Sequence, residues 1–249
     1  VSAMSDVIAT GPRRHLRSSA DAAAAYRTVQ GRVDALLRGR TDLCERVVPA
    51  CPGWSVRQTV CHLAGTAQDV VAANLANVGT DEWTRAQLDR LADRPLDEVL
   101  DLWATATETV VEFLTDSPKL VGAQAVFDAL THEHDIRGAL GEPGSRTADP
   151  AFAVAIGFLT TMIDRTIRRN AYPCLRLTTP TTGTTQLGDP ASAPGQIAVE
   201  LSDFEALRVF SGRRSRRQLA NLPWVGDPAG LQPIFHTVAV RPPADDLCE

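Results

Sequence analysis

The sequence predicts an α+β protein, an N-terminal up-down helix bundle followed by a small α/β C-terminal domain, and three observations carry that prediction. Apolar residues recur at helical spacing almost without interruption from about residue 19 to residue 170. After about residue 171 the period changes to short, β-branched, Thr-rich runs separated by Gly, Asp and Pro. The chain has 249 residues, 44% hydrophobic and 22% charged, enough for a large folded domain or two small ones. The expected division is a loose arm over 1–18, the bundle over 19–170 and the small domain with its tail over 171–249.

The elements follow in order. Residues 1–18 are polar and aperiodic and contain Gly-Pro, so no element is expected there. "SADAAAAYRTVQGRVDALL" spaces Tyr26, Val29, Val33, Leu36 and Leu37 as a helix, with Ser19 available as its cap. A second helix restarts after Pro52-Gly53, where Ser55 and Gln58 form a capping-box pattern ahead of Val56, Val60, Leu63, Ala67 and Val70. A shorter helix covers Asp81 to Ala92. Pro95 opens a third long one, striped by Leu96, Val99, Leu100, Trp103, Val110, Val111 and Leu114. A further helix runs from about Ala123 to Leu140 and is stopped by Gly141 and Pro143, and another begins near Pro150. "CLRLTTP", "TTQL" and "GQIAVELS" read as strands; "DFEALRVFSGR" and "RSRRQLANLPW" read as helices.

Composition excludes several classes. A formal net charge of −5 offers no electrostatic footprint for nucleic acid or a membrane surface. No uninterrupted apolar run of about 18 to 20 residues is present, and the N-terminal stretch lacks the apolar core of a signal peptide, so a cytoplasmic location is expected. Five cysteines without a CxxC pair suggest reduced thiols rather than a disulfide framework or zinc ribbon. Lys119 is the single lysine among 25 basic residues, an arginine bias that hints at a GC-rich host.

The chemically dense stretch is "DALTHEHDIRGALG", where two histidines, two aspartates and a glutamate fall between Asp128 and Asp135. At about 100° per residue, Asp128, His132 and Asp135 share one stripe roughly 60° wide, whereas Glu133 and Arg137 lie elsewhere as an i to i+4 ion pair expected at the surface or at an interface. A carboxylate and an imidazole at i and i+4 can reach one ion, and a second carboxylate can hold the other ring nitrogen. His62, flanked by Thr59 and Thr66, is the best third ligand, and three protein ligands leave a position open for water or substrate. Cys61 beside His62 reads as a buried small residue, and Trp54 as a helix-entry packing residue.

"CPGWSVRQTVCHLAG", "DALTHEHDIRGALG" and "ALRVFSGRRSRRQLANLPWVGDP" together resemble the mycothiol-dependent maleylpyruvate isomerase family, over roughly residues 20–230. The resemblance implies a DinB-like metal-binding bundle and a sterol-carrier-like C-terminal domain. It also implies metal ligands at His62, Asp128 and His132, with Asp135 in support. Aspartate at 128 stands where glutamate is the family's better-known acid. The implied cofactors are a divalent metal, zinc by its mixed nitrogen and oxygen donors, and mycothiol. The implied reaction is thiol attack on an electrophilic small molecule, as isomerisation or S-transfer, and the alternative is a non-catalytic binding or regulatory protein on the same fold. A catalytic arginine is implied in "SGRRSRR", with Arg213 chosen over Arg214, Arg216 and Arg217 because Gly-Arg closes the preceding helix. A monomer or homodimer, an actinobacterial host and no nucleic-acid or membrane partner complete the expectation.

Overall fold

Tyr26, Val29, Val33 and Leu37 are buried along one side of α1 (Ser19–Leu37), so the helix-period stripe of the sequence is the stripe that packs. The computed structural model describes residues 15–144, 146–189, 191, 196–236 and 241–249. Its first compact unit comprises 19–144 with the last two residues, and its second comprises 145–247 with the segment before Ser19.

In the first unit α1 is followed by α2 (Val56–Val71), α3 (Asp81–Leu91), α4 (Leu96–Asp116) and α5 (Lys119–Leu140). Helix α4 packs on both α1 and α2, and α5 packs on α1 and meets α2, which closes a four-helix bundle; α3 lies against α2. Trp103 of α4 is fully buried at the centre and donates its indole N–H to the Tyr26 hydroxyl at 3.0 Å. Burial pushes the Tyr26 phenol far above its ordinary range, while the Trp103 N–H acts in the opposite direction.

The capping box at Ser55 and Gln58 forms with both bonds in place. Ser19 instead sits inside the first turn of α1 and donates to the Ser117 carbonyl at 2.8 Å, tying α1 to the end of α4. Helix α5 begins four residues earlier than its apolar period predicts, at Lys119 after Pro118. It ends at Gly141 as expected.

The second unit holds α6 (Pro150–Asn170), β1 (Cys174–Thr179), β2 (Gly183–Leu187), β3 (Gln196–Glu200), α7 (Asp203–Phe210), α8 (Arg216–Ala220) and a 3-10 segment over Pro228–Phe235. The sheet order is β2-β1-β3, with β1 and β2 an antiparallel hairpin and β1 and β3 parallel. Leu175, Leu177, Leu187, Ile197 and Val199 form its buried apolar set.

The division therefore falls near residue 145, not near 171. Helix α6 packs against α7, β2 and the 3-10 segment, so it is the core helix of the C-terminal unit. The period change at 171 marks a switch of secondary structure inside that unit. By length and composition α6 is long and apolar enough to cross a membrane, yet Phe152, Ile156, Leu159 and Ile163 are buried within the unit. Most of the expected loose arm, residues 1–14, lies outside the described residues. The part within them is packed: His15 Nε2 lies 2.9 Å from the Thr185 hydroxyl, and a Cβ at Gly157 would lie 2.5 Å from the His15 carbonyl oxygen.

Candidate metal centre

Residues 51–54 enter α2 through a tight turn. The Trp54 N–H donates to the Cys51 carbonyl at 2.9 Å, and Gly53, third in the turn, has φ 87°, a conformation that glycine adopts without strain. The turn sets Cys51 and Trp54 beside α5. The Trp54 ring lies 6.0 Å from the His132 ring, nearly stacked, and 5.3 Å from the His62 ring. The expected packing residue thus packs on both imidazoles.

His62 of α2 and His132 of α5 meet edge to face, with ring centroids 5.1 Å apart. Asp128 lies between them. Its Oδ2 is 3.6 Å from His62 Nε2, and its Oδ1 is 3.8 Å from His132 Nε2. One ligand atom from each of the three falls within 4.8 Å of the others, so the expected trio is brought together in space. The Asp128 side chain, a methylene shorter than glutamate, still reaches both rings. It is 37% exposed, against 9% and 10% for the two imidazoles, so the cluster opens to solvent along the Asp128 edge.

Hydrogen bonds decide which ring nitrogens carry protons. Asp135 Oδ2 lies 3.0 Å from His132 Nδ1, and an ionised carboxylate only accepts, so the proton belongs on Nδ1. The His62 proton is placed by Gln87, a residue that the sequence reading did not single out. Gln87 of α3 is fully buried, and its Nε2 donates to Asp69 Oδ2 at 2.8 Å. Its Oε1 therefore faces His62 Nδ1 at 2.8 Å and accepts a hydrogen bond from it. Asp69 is held in turn by Arg90 Nη1 and Asn74 Nδ2, both at 3.1 Å. An Arg90–Asp69–Gln87 chain thereby orients His62 as Asp135 orients His132.

With both Nδ1 protons committed, neutral His62 and His132 turn acceptor nitrogens toward a carboxylate. Three acceptors face one another at separations too long for hydrogen bonds. A cation between them, a proton or a metal ion, makes that arrangement favourable. Two imidazole nitrogens and a carboxylate oxygen suit zinc and related divalent ions.

Gln87 gives a direct test. Replacing it by leucine is expected to weaken divalent-metal affinity about 10–100-fold by freeing the His62 ring, with the unmutated first turn of α3 intact. Competition titration against a metal indicator measures the change. A signal for Gln87 existed in α2, because Gly65 marks a close approach: a Cβ there would lie 2.5 Å from the Gln87 Cβ.

Cys51 is the second residue missed. Its thiol is buried, with Sγ 3.2 Å from Asp135 Oδ2 and 3.6 Å from His132 Nδ1. Cys61 behaves as expected of a buried small residue. Burial pushes its thiol up to about 11, and Sγ contacts the Leu91 carbonyl at 3.8 Å. The expected Glu133–Arg137 pair forms at 2.9 Å, and of the two expected places it takes the interface. Glu133 is 1% exposed and also takes two bonds from Arg32, at 2.6 and 2.9 Å, because α1 covers this face of α5.

Arg213 lies in the second unit, where Nη1 donates to the Ser211 carbonyl at 2.6 Å. The rest of the basic run is largely engaged in structure. Arg214 is buried and pairs twice with Glu205, and Arg217 pairs with Asp246.

Fold and cluster define a class: a helix-bundle protein whose core carries two oriented histidines and a carboxylate able to hold a divalent metal. Residues 26–137, from α1 into α5, match the family described as Mycothiol maleylpyruvate isomerase N-terminal domain, which is what this unit is similar to. The match spans just under half of the chain and stops before the second unit. No curated protein and no solved structure matches the sequence.

Proposed function

We propose that the protein is a cytosolic, metal-dependent enzyme that uses mycothiol to attack an electrophilic small molecule. His62, Asp128 and His132 hold the metal and Asp135 orients His132. The observation that carries this reading is the facing of three acceptors, with both Nδ1 protons already committed to Gln87 and Asp135. When bound, a divalent ion, zinc by its donor set, supplies the positive charge that keeps a thiol in its thiolate form at neutral pH.

The chain's own residues do the rest. Gln87 and Asp135 keep both Nε2 lone pairs aimed at one point, and Trp54 covers the imidazoles on one side. The exposed Asp128 edge admits the thiol and its partner. For maleylpyruvate, the thiolate adds to the activated carbon–carbon double bond, the former double bond, now single, rotates, and elimination returns the trans isomer and the thiolate. An S-transferase would instead protonate the adduct and release it. Arg213 is our candidate catalytic residue in the second unit, as the family resemblance implies.

Mycothiol added to the cobalt-substituted protein tests this reading. Expected are a thiolate-to-cobalt absorption band and mycothiol-dependent turnover of maleylpyruvate or a related electrophile, both lost in His62→Ala. Arg213→Met would retain the band and lose turnover. A metal-loaded protein that gives no band with mycothiol favours the alternative, a non-catalytic binding or regulatory protein; the observation on its side is that the family match covers only the helical unit.

A further inference from the structure

His132 belongs to two donor clusters at once. Its Nε2 faces Asp128 and His62, while its Nδ1 lies with Cys51 Sγ and Asp135 Oδ2 in a second group of three ligand atoms. All three residues of that second group are buried. Their separations are 3.0 Å for nitrogen to oxygen, 3.2 Å for sulfur to oxygen and 3.6 Å for sulfur to nitrogen. A four-coordinate ion with bonds of about 2.3 Å to sulfur and about 2.0 Å to nitrogen or oxygen spaces its donors at roughly 3.3–3.5 Å. The second group is therefore close to a coordination triangle already, and it differs from the first in offering sulfur. Thiolate sulfur selects soft, thiophilic cations.

We infer that Cys51, His132 and Asp135 form a second cation position, one that takes thiophilic ions such as cadmium and, while filled, excludes metal from the His62–Asp128–His132 position. The exclusion follows from the imidazole. A neutral ring has one lone pair. For a cation to bind at Nδ1, the Cys51 thiol proton leaves to solvent and the ring proton moves from Nδ1 to Nε2. The Nε2 then no longer accepts, and the first position loses one of its three ligands. Cadmium binding itself does not depend on the proposed thiol chemistry, whereas the exclusion rests on the first position being a metal site.

Cadmium titration of the full chain in a Cys248→Ser background, which removes the exposed thiol, tests the inference. Expected is an ultraviolet thiolate-to-cadmium charge-transfer band that saturates at about one equivalent and persists in His62→Ala. Cys51→Ser, whose hydroxyl can still donate to Asp135, loses the band. Cadmium is also expected to lower zinc uptake at least tenfold in the parent and not in Cys51→Ser. No band in the parent, or a band that survives in Cys51→Ser, overturns the site. Simultaneous full occupancy by zinc and cadmium overturns the exclusion. Zinc content of Cys51→Ser without cadmium reads the first position separately, so the two proposals fail independently.

Discussion

Replacing His132 by alanine is expected to lower divalent-metal affinity by more than 100-fold and to destabilise the bundle as well. Loss of an outer hydrogen-bonding partner of a ligand already costs about 10–100-fold, so loss of the ligand itself exceeds that range. The stability effect comes from Asp135, which is 1% exposed and loses the imidazole 3.0 Å away. A buried carboxylate deprived of such a bond costs about 1–3 kcal/mol. His62→Ala is expected to match His132→Ala in metal loss and to be milder in stability, because the partner it leaves is the neutral Gln87 amide, still bonded to Asp69. Metal competition and urea unfolding on the two variants separate these effects. Equal destabilisation by both would contradict the assignment of Asp135 as the buried partner of His132.

The largest stability effect away from the metal position is expected at Glu133. Its carboxylate is 1% exposed and takes bonds from Arg32 and Arg137, which joins α1 to α5. Glu133→Gln keeps the size and removes the charge, leaving two guanidinium groups against a neutral amide. Removing one partner of a buried ion pair costs about 3–5 kcal/mol; the Arg32 side chain is 28% exposed and recovers some hydration, so about 3 kcal/mol is expected. With an ordinary urea dependence, that shift lowers the unfolding midpoint by roughly 1–2 M. Metal stoichiometry should not change, since Glu133 is in neither donor cluster.

The polar face of α5 that carries the candidate ligands was legible in the sequence because it depends on spacing within one helix. Asp128, His132 and Asp135 share a stripe whatever the rest of the chain does, and the structure keeps them together. His62 was legible through the capping box and the polar flank of α2. What sequence periodicity could not supply was burial imposed by another element. Gln87 reads as one more polar residue in the polar helix "DEWTRAQLDRL", and only the packing of α3 on α2 at Gly65 makes it a buried partner of His62. Glu133 reads as a charge at the surface or at an interface, and only the cover of α1 decides for the interface. Cys51 lies in a turn, where helical angles do not apply, so its approach to Asp135 had no periodic signature. The domain boundary was misplaced because α6 has the same helical period as the bundle, although its apolar face belongs to the sheet unit.

Two histidines, oriented through their Nδ1 atoms, and Asp128 are proposed to hold one divalent ion. Anomalous diffraction at the zinc edge, from crystals of the zinc-loaded full chain, tests it most directly. Expected is a single strong peak about 2.0–2.2 Å from His62 Nε2, His132 Nε2 and a carboxylate oxygen of Asp128, with Gln87 and Asp135 still on the two Nδ1 atoms. A map with no peak there, or with zinc bound through His132 Nδ1 and Cys51, would contradict it.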